Sequence, residues 1–208
     1  MRLEGKINLV IHGLIALGTN GAVVVAIWGN WFRSKFRPPK LILTAHTLEG
    51  DPARFGSGTR VMFYHLRVIN QQAWLPAPNC RVMLTGLSRR DPSDIFQPVA
   101  LSVPQQFVWG PAEFTPPSVT LLKEHVLDFG YIRRKWHPIV PRLHGIPFNF
   151  QGFVGANEAV RFQLQIEAAN FSSPIYVVEV AWDGVWDFVP AAMRHHIPIR
   201  FIPYLGTR

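Results

Sequence analysis

The chain has 208 residues, which is enough for one domain with some length to spare. Apolar residues make up 48% and charged residues only 16%, and this balance excludes an intrinsically disordered chain. The formal charge is +8, and the single cysteine, Cys80, excludes an internal disulfide framework and a zinc site built from several thiolates.

The first predicted element is a membrane-spanning helix over residues 9–32. This stretch contains 24 residues without an Asp, Glu, Lys or Arg side chain. A helix of that length is about 36 Å long, whereas the hydrocarbon core of a bilayer is about 30 Å thick. The residues predicted to lie at the membrane–water interface are the aromatic and basic side chains that close the stretch: Trp28, Trp31, Phe32, Arg33, Lys35 and Arg37.

A cleaved signal peptide is the alternative for this segment. Arg2 and Lys6 fit its positively charged region, and residues 16–18 resemble a small-residue cleavage site. The strongest apolar run, over 22–27, follows that site, which favours an uncleaved anchor.

Small residues recur every four positions in the predicted span, at Gly18, Ala22 and Ala26. This spacing lets two helix backbones approach closely, so it predicts a helix–helix contact and a homo-oligomer. The alternative is that glycine and alanine are simply common in spanning helices.

The charge distribution predicts the orientation of the chain. Residues 1–40 carry six basic and one acidic side chain, and residues 41–208 carry fifteen and twelve. Because basic residues are more numerous after the predicted span than before it, we expect a single-pass protein of a cell inner membrane with a cytoplasmic C-terminal domain. Most of the positive excess belongs to the anchor, where it meets anionic lipid, so a nucleic-acid partner is not expected.

The remainder of the chain, residues 41–208, is predicted to form an antiparallel β-sandwich. It follows an N-terminal tail over 1–8, the span and a basic juxtamembrane linker over 33–40. No segment beyond residue 40 shows helical periodicity, and two or three strands are expected over 91–157. The segments with the clearest apolar or alternating pattern are 41–47, 62–68, 80–84, 160–168, 176–182 and 199–201.

Five motifs distributed over nearly the whole chain carry a resemblance: Ala26–Leu41, Tyr64–Asn70, Pro76–Leu84, Phe107–Ala112 and Ala181–Trp186. Through them the chain resembles a group of small bacterial single-span membrane proteins whose function is uncharacterised. The resemblance implies a C-terminal immunoglobulin-like β-sandwich and a membrane location, and it implies no activity, cofactor or catalytic residue. One departure is the apolar segment that contains Phe188 and Val189, which we expect either to pack on the sandwich or to contact lipid.

The residues that could carry chemistry each have a simpler structural interpretation. Adjacent His195 and His196 point to opposite faces if they lie on a strand, so they are predicted to be surface histidines rather than metal ligands. Cys80 alternates with apolar neighbours and is predicted to pack in the core. Ser57 lies between two glycines and is typical of a loop.

Two further groups of residues have both a functional and a structural interpretation. The basic segment 133–137 suits a membrane surface or an acidic partner, but a solvated loop tip explains it as well. Trp109, Trp182 and Trp186 are predicted to be structural, since each can bury a large apolar area between two sheets.

The sequence therefore predicts a membrane-anchored, non-catalytic interaction or assembly module without a cofactor or metal. The expected partners are the lipid bilayer and other membrane or membrane-associated proteins. A membrane-tethered ligand sensor is the first alternative, and an enzyme of unrecognised type that uses loop histidines is the second.

Overall fold

The two compact units of the chain are Met1–Pro38 and Pro39–Arg208. The computed structural model describes the following residues: 12, 15, 18–29, 38–56, 58–134, 136–169 and 171–203.

In the first unit, residues 18–29 form a helix, α1, and residues 12 and 15 are also helical. Within the residues described, no helix combines the length and the apolar character that crossing a membrane requires. The remaining residues of the predicted span over 9–32 lie outside the described residues, so the span stays a prediction. The predicted tail over 1–8 lies outside the described residues.

The second unit is built mainly from β-strands that are joined by turns and loops. In chain order they are β1 (Leu41–Arg54), β2 (Arg60–Asn70), β3 (Ala77–Arg90), β4 (Phe96–Val99), β5 (Gln105–Gln106), β6 (Val108–Trp109), β7 (Val119–Leu121), β8 (Glu124–Arg133), β9 (Trp136–Pro141), β10 (Glu158–Ala168), β11 (Phe171–Ser172), β12 (Tyr176–Trp182) and β13 (Ile199–Ile202). A short helix, α2, covers Pro190–His196 between β12 and β13.

These strands form two antiparallel sheets in a sandwich-like arrangement. The first sheet has the order β1-β2-β8-β6, and β9 also pairs with β8. The second sheet has the order β13-β12-β10-β3-β4, with β11 on β10 and with β5 and β7 on β3. The prediction of a mainly β, antiparallel domain is confirmed.

One hydrophobic core lies between the sheets, and alternation along each strand supplies it. The predicted inward row of β2 is confirmed, because its apolar side chains are buried while His65 and Arg67 lie on the outer face. Cys80 is buried in β3, as predicted. Trp109 and Trp182 are among the largest fully buried side chains, and Trp186 packs on the core from its edge.

The described residues of the segment 91–157 form six strands, β4 to β9, rather than the two or three expected. Four of these strands have only two to four residues, so they offer too little alternation to be recognised. Helix α2 was also not expected. It has seven residues, with Pro190 in its first turn, where a missing N–H costs nothing, and only Met193 is buried.

A bulge in β8 decides which side chains reach the outer face of the first sheet. Tyr64 of β2 lies opposite Gly130, and the next residue, His65, lies opposite Asp128. Phe129 is therefore an extra residue in β8. Its ring stays in the core, and the carboxylate of Asp128 lies on the outer face beside His65.

Candidate functional site

The outer face of the first sheet carries a cluster of three aromatic rings. Phe63 of β2 and Tyr131 of β8 are opposite each other in register, with ring centroids 5.6 Å apart. Phe55, in the turn before β2, lies edge-on to both, at 6.0 Å from Phe63 and 5.9 Å from Tyr131. All three rings are half-buried, so each presents part of its surface to solvent.

Two arginines lie against these rings. The guanidinium of Arg133 is 4.4 Å from the centroid of Phe55 and 5.1 Å from that of Tyr131, and it donates a hydrogen bond of 3.3 Å to the Tyr131 hydroxyl. The guanidinium of Arg142 is 6.0 Å from the centroid of Phe63. These distances are within the range of cation–π attraction. We call Phe55, Phe63, Tyr131, Arg133 and Arg142 the aromatic–arginine surface.

A polar cluster continues this surface along β2. The His65 ring stacks on Phe63 with an interplanar angle of 11°. Its Nδ1 lies 3.0 Å from Oδ1 of Asp128, and its Nε2 lies 3.3 Å from Oδ2 of Asp51. The other oxygen of Asp128 is 3.8 Å from Nε of Arg142. We call Asp51, His65, Asp128 and Arg142 the His65 cluster.

Irregular backbone on both sides of β2 assembles this cluster. In β1, Thr47 pairs with His65 and Asp51 pairs with Phe63, so residues 48–50 bulge and Asp51 turns back toward the imidazole.

Gly110, just after β6, matters for the position of Asp128. A Cβ at residue 110 would lie 2.6 Å from Oδ1 of Asp128, a distance too short for two non-bonded atoms. A larger residue at position 110 would therefore displace this carboxylate, which is 8% exposed and lies against His65.

A shallow cleft borders each side of the His65 cluster. On one side, a cleft of about 380 Å³ is lined by Val108, Tyr131, Arg142 and Ile146, among others. On the Asp51 side, a cleft of about 540 Å³ lies between the bulge of β1 and Arg194 of α2. Neither is a deep pocket lined by convergent polar groups.

The side chains of this face are of the kinds that bind a partner. A general base needs one ring nitrogen directed at the proton that it removes, whereas both nitrogens of His65 lie next to carboxylates. Half-exposed aromatic rings and arginines are the side chains that most often dominate the binding energy of protein interfaces. The arginines also offer donors that match a carboxylate on a partner.

The structure describes only part of the residues predicted to act at the membrane. Trp28, Gly18, Ala22 and Ala26 lie in α1 and are exposed. Their assignment to an interface or a helix–helix contact stays a prediction. The other predicted interface residues lie outside the described residues: Trp31, Phe32, Arg33, Lys35 and Arg37.

The other candidate residues occupy ordinary structural positions. Burial raises the pKa of the Cys80 thiol to about 12, so it is a poor nucleophile at neutral pH. His196 lies in α2 rather than on a strand, and its Nδ1 is 2.7 Å from Oδ2 of Asp183. Ser57 lies outside the described residues. Among the residues that the structure describes, no three His, Cys, Asp or Glu side chains are grouped so that they could hold a metal ion.

The basic segment 133–137 runs from the end of β8 to the beginning of β9. Arg133 ends β8 and packs on the aromatic rings, and Arg134 lies in the turn that follows. Lys135 lies outside the described residues, as do the side chains of Trp136 and His137.

The sequence did not identify the His65 cluster. The outward position of His65 was readable from the alternation of β2, but its partners depend on two bulges and on a glycine far away in the chain. The position of Asp128 beside Phe129 shows no alternation that would reveal an outward carboxylate, because the bulge interrupts the period.

Comparison with protein-family models and with curated proteins does not assign the chain to a family. No protein-family model matches the chain, and none of the curated proteins matches it.

Proposed function

We propose that this protein is a membrane-anchored, non-catalytic interaction module that binds its partner through the aromatic–arginine surface. The observation that carries the proposal is the pair of guanidinium groups, Arg133 and Arg142, against three half-buried rings on one outer face. Such a surface offers apolar area and directed donors without a pocket. The proposed partner is a segment of another membrane-associated protein that combines apolar and acidic side chains.

The anchor is part of the same proposal. The uncharged stretch 9–32 and the basic residues after it support a single span in a cell inner membrane, with residues 41–208 in the cytoplasm. An exposed Ser93→Cys tests this orientation in intact cells with an impermeant thiol reagent, because the native Cys80 is buried. Labelling only after lysis supports a cytoplasmic domain, and labelling of intact cells overturns it.

We also propose that the sandwich is immunoglobulin-like. The order β1-β2-β8-β6 in one sheet and β12-β10-β3 in the other supports this assignment. When β1, β2, β3, β6, β8, β10 and β12 are lettered A to G in chain order, the two sheets have the orders ABED and GFC. These are the orders of the two sheets in immunoglobulin domains.

A site-specific photo-crosslinker tests the proposed contact surface. It is placed at Phe63 in the full chain in membranes, with Gln165, which is half-buried on the second sheet, as the control position. We expect a defined heterologous product from position 63 that is absent from position 165. Arg142→Ala is expected to remove this product, because hot-spot arginines contribute about 2 kcal/mol or more to binding. Identical products from both positions, or a product unaffected by Arg142→Ala, would overturn the proposal.

The cleft of about 380 Å³ beside Arg142 favours a second candidate, a membrane-tethered sensor of a small carboxylate. A thermal-shift screen of the full chain in detergent with small carboxylic acids separates the two functions. A specific ligand raises the melting temperature by mass action, and Arg142→Ala should abolish that rise. No rise with any acid leaves the protein-contact proposal as the better one.

A further inference from the structure

At one end of the sandwich, exposed apolar and basic side chains lie together. Trp74 is 61% exposed in the loop between β2 and β3, and Leu122 is 59% exposed in the turn between β7 and β8. Lys40 and Lys123 are exposed at the same end. We call Lys40, Trp74, Leu122 and Lys123 the tryptophan–lysine end.

A buried asparagine holds this end in one arrangement. The Asn70 side chain is 2% exposed, and its Nδ2 donates hydrogen bonds to the carbonyl oxygens of Leu75, at 2.8 Å, and Leu121, at 3.3 Å. Its backbone N–H donates to the carbonyl of Lys123 at 2.7 Å. One side chain therefore ties together the two loops that present Trp74 and Leu122, so both apolar groups are held at the surface by ordered backbone.

The N-terminal segment enters the domain at this end. The backbone N–H of Gln71 donates to the carbonyl of Lys40 at 2.9 Å. From Phe32, at the end of the predicted span, to Lys40 the chain has eight Cα–Cα steps, which reach at most about 29 Å when fully extended. If residues 9–32 span a bilayer, Lys40 cannot lie farther than that from the membrane surface. The opposite end, at the turn 91–95, lies roughly 40 Å away along β3.

We propose that the tryptophan–lysine end contacts the bilayer directly, with Trp74 and Leu122 at headgroup depth and Lys40 and Lys123 against anionic lipid. This inference rests on the membrane anchoring in the proposed function. Tryptophan is enriched at the membrane–water interface, and lysines near the surface attract anionic headgroups. The nearby acidic residue, Glu124, is 3.5 Å from Arg67, which offsets its charge. The contact would orient the domain and present the first sheet at a fixed height above the membrane.

The full chain in vesicles of mixed phosphatidylcholine and phosphatidylglycerol tests this proposal. An environment-sensitive NBD dye is attached at one introduced cysteine, Ala73→Cys, which keeps Trp74 in place. Ile95→Cys is the matched control, because Ile95 is 56% exposed at the opposite end. Val25→Cys reports separately on the predicted span. Nitroxide lipids are expected to quench the dye at positions 73 and 25 but not at position 95. Combining Trp74→Ser with Leu122→Ser should abolish quenching at position 73, and Ile95→Ser should not.

The outcomes separate this inference from the proposed function. Quenching at position 25 without quenching at position 73 overturns the bilayer contact and leaves the anchor intact. Quenching at position 73 alone supports the contact and overturns the anchor. Quenching at neither position overturns both, and equal quenching at positions 73 and 95 shows non-specific adsorption and overturns the contact.

Discussion

The two outer faces of the sandwich use arginine in different ways. On the second sheet, Arg81 and Glu167 are opposite each other in β3 and β10 and lie 2.9 Å apart. Arg161 and Glu179 are opposite each other in β10 and β12 and lie 2.8 Å apart. Each of these arginines is matched by a carboxylate in its own cross-strand register.

On the first sheet the corresponding distances are longer. Arg67 lies 3.5 Å from Glu124, and Arg142 lies 3.8 Å from Asp128, which also contacts His65. Arginines lie over aromatic rings on both faces: Arg133 and Arg142 on the first sheet, and Arg161, at 3.6 Å from the centroid of Phe96, on the second. The shorter cross-strand ion pairs of the second sheet hold their guanidinium groups more tightly than the longer pairs of the first sheet. The two faces therefore differ in the length of their ion pairs, and this difference favours the first sheet as the contact surface that we propose.

Both sheets pack on one hydrophobic core, so a substitution in the core should have the largest effect on the free energy of unfolding. Trp182→Ala removes a fully buried indole and should lower the free energy of unfolding by about 3–5 kcal/mol. Trp74→Ala is the control, because Trp74 is exposed and its removal should change stability by less than about 0.5 kcal/mol. Chemical denaturation followed by circular dichroism measures both. Equal midpoints for the two variants would show that the indole of Trp182 does not stabilise the fold.

The next comparison removes one carboxylate charge from each face. Asp128→Asn should cost about 1–3 kcal/mol, because the carboxylate is nearly buried between His65 and Arg142. Glu179→Gln weakens a cross-strand pair of the second sheet and should cost less than about 1 kcal/mol. Urea denaturation of the two variants at neutral pH measures the difference. A larger cost for Glu179→Gln would reverse the contrast between the faces.

The sequence predicted those parts of the fold that depend on local alternation. The inward rows of β2, β3, β10 and β12 were readable because each alternates with period two over several residues. The short strand β13 was also expected, but its burial does not alternate, since Phe201 is exposed. The His65 cluster was not readable, because its geometry depends on Phe129 being extra in β8 and on Gly110 leaving space. Both the bulge at Phe129 and the space at Gly110 depend on how distant strands pair and pack. No local pattern in the sequence encodes that pairing.

The two sheets also differ in the hydrogen bonding of one tyrosine hydroxyl each, at Tyr64 and Tyr176. Among the described residues the hydroxyl of Tyr64, in the first sheet, has no hydrogen-bond partner, and burial raises its pKa. Tyr64→Phe removes a polar atom that is buried without compensation, so it should stabilise the protein by up to about 1 kcal/mol. The hydroxyl of Tyr176, in the second sheet, donates to the carbonyl of Leu41 at 3.2 Å. Tyr176→Phe should therefore destabilise by about 0.5–1.5 kcal/mol. Thermal unfolding of the pair measures both signs, and a destabilising Tyr64→Phe would indicate that this hydroxyl is satisfied.

The smallest expected effect is on the pH dependence of stability, through His125. This histidine lies on the inner side of the first sheet, whereas His65 lies on the outer face. The ring of His125 lies edge-on to Trp109 with centroids 5.4 Å apart, and its Nε2 has no hydrogen-bond partner among the residues that the structure describes. Burial lowers the pKa of His125 in the folded protein, whereas an unfolded histidine titrates near about 6.5. As pH falls below that value, the unfolded chain gains a proton that the folded protein resists, so stability decreases. His125→Gln should weaken this decrease below about pH 6.5 and leave the pH dependence near pH 8 unchanged. Denaturation midpoints across this range measure the effect, and identical acid slopes in the two proteins would show that His125 contributes nothing to it.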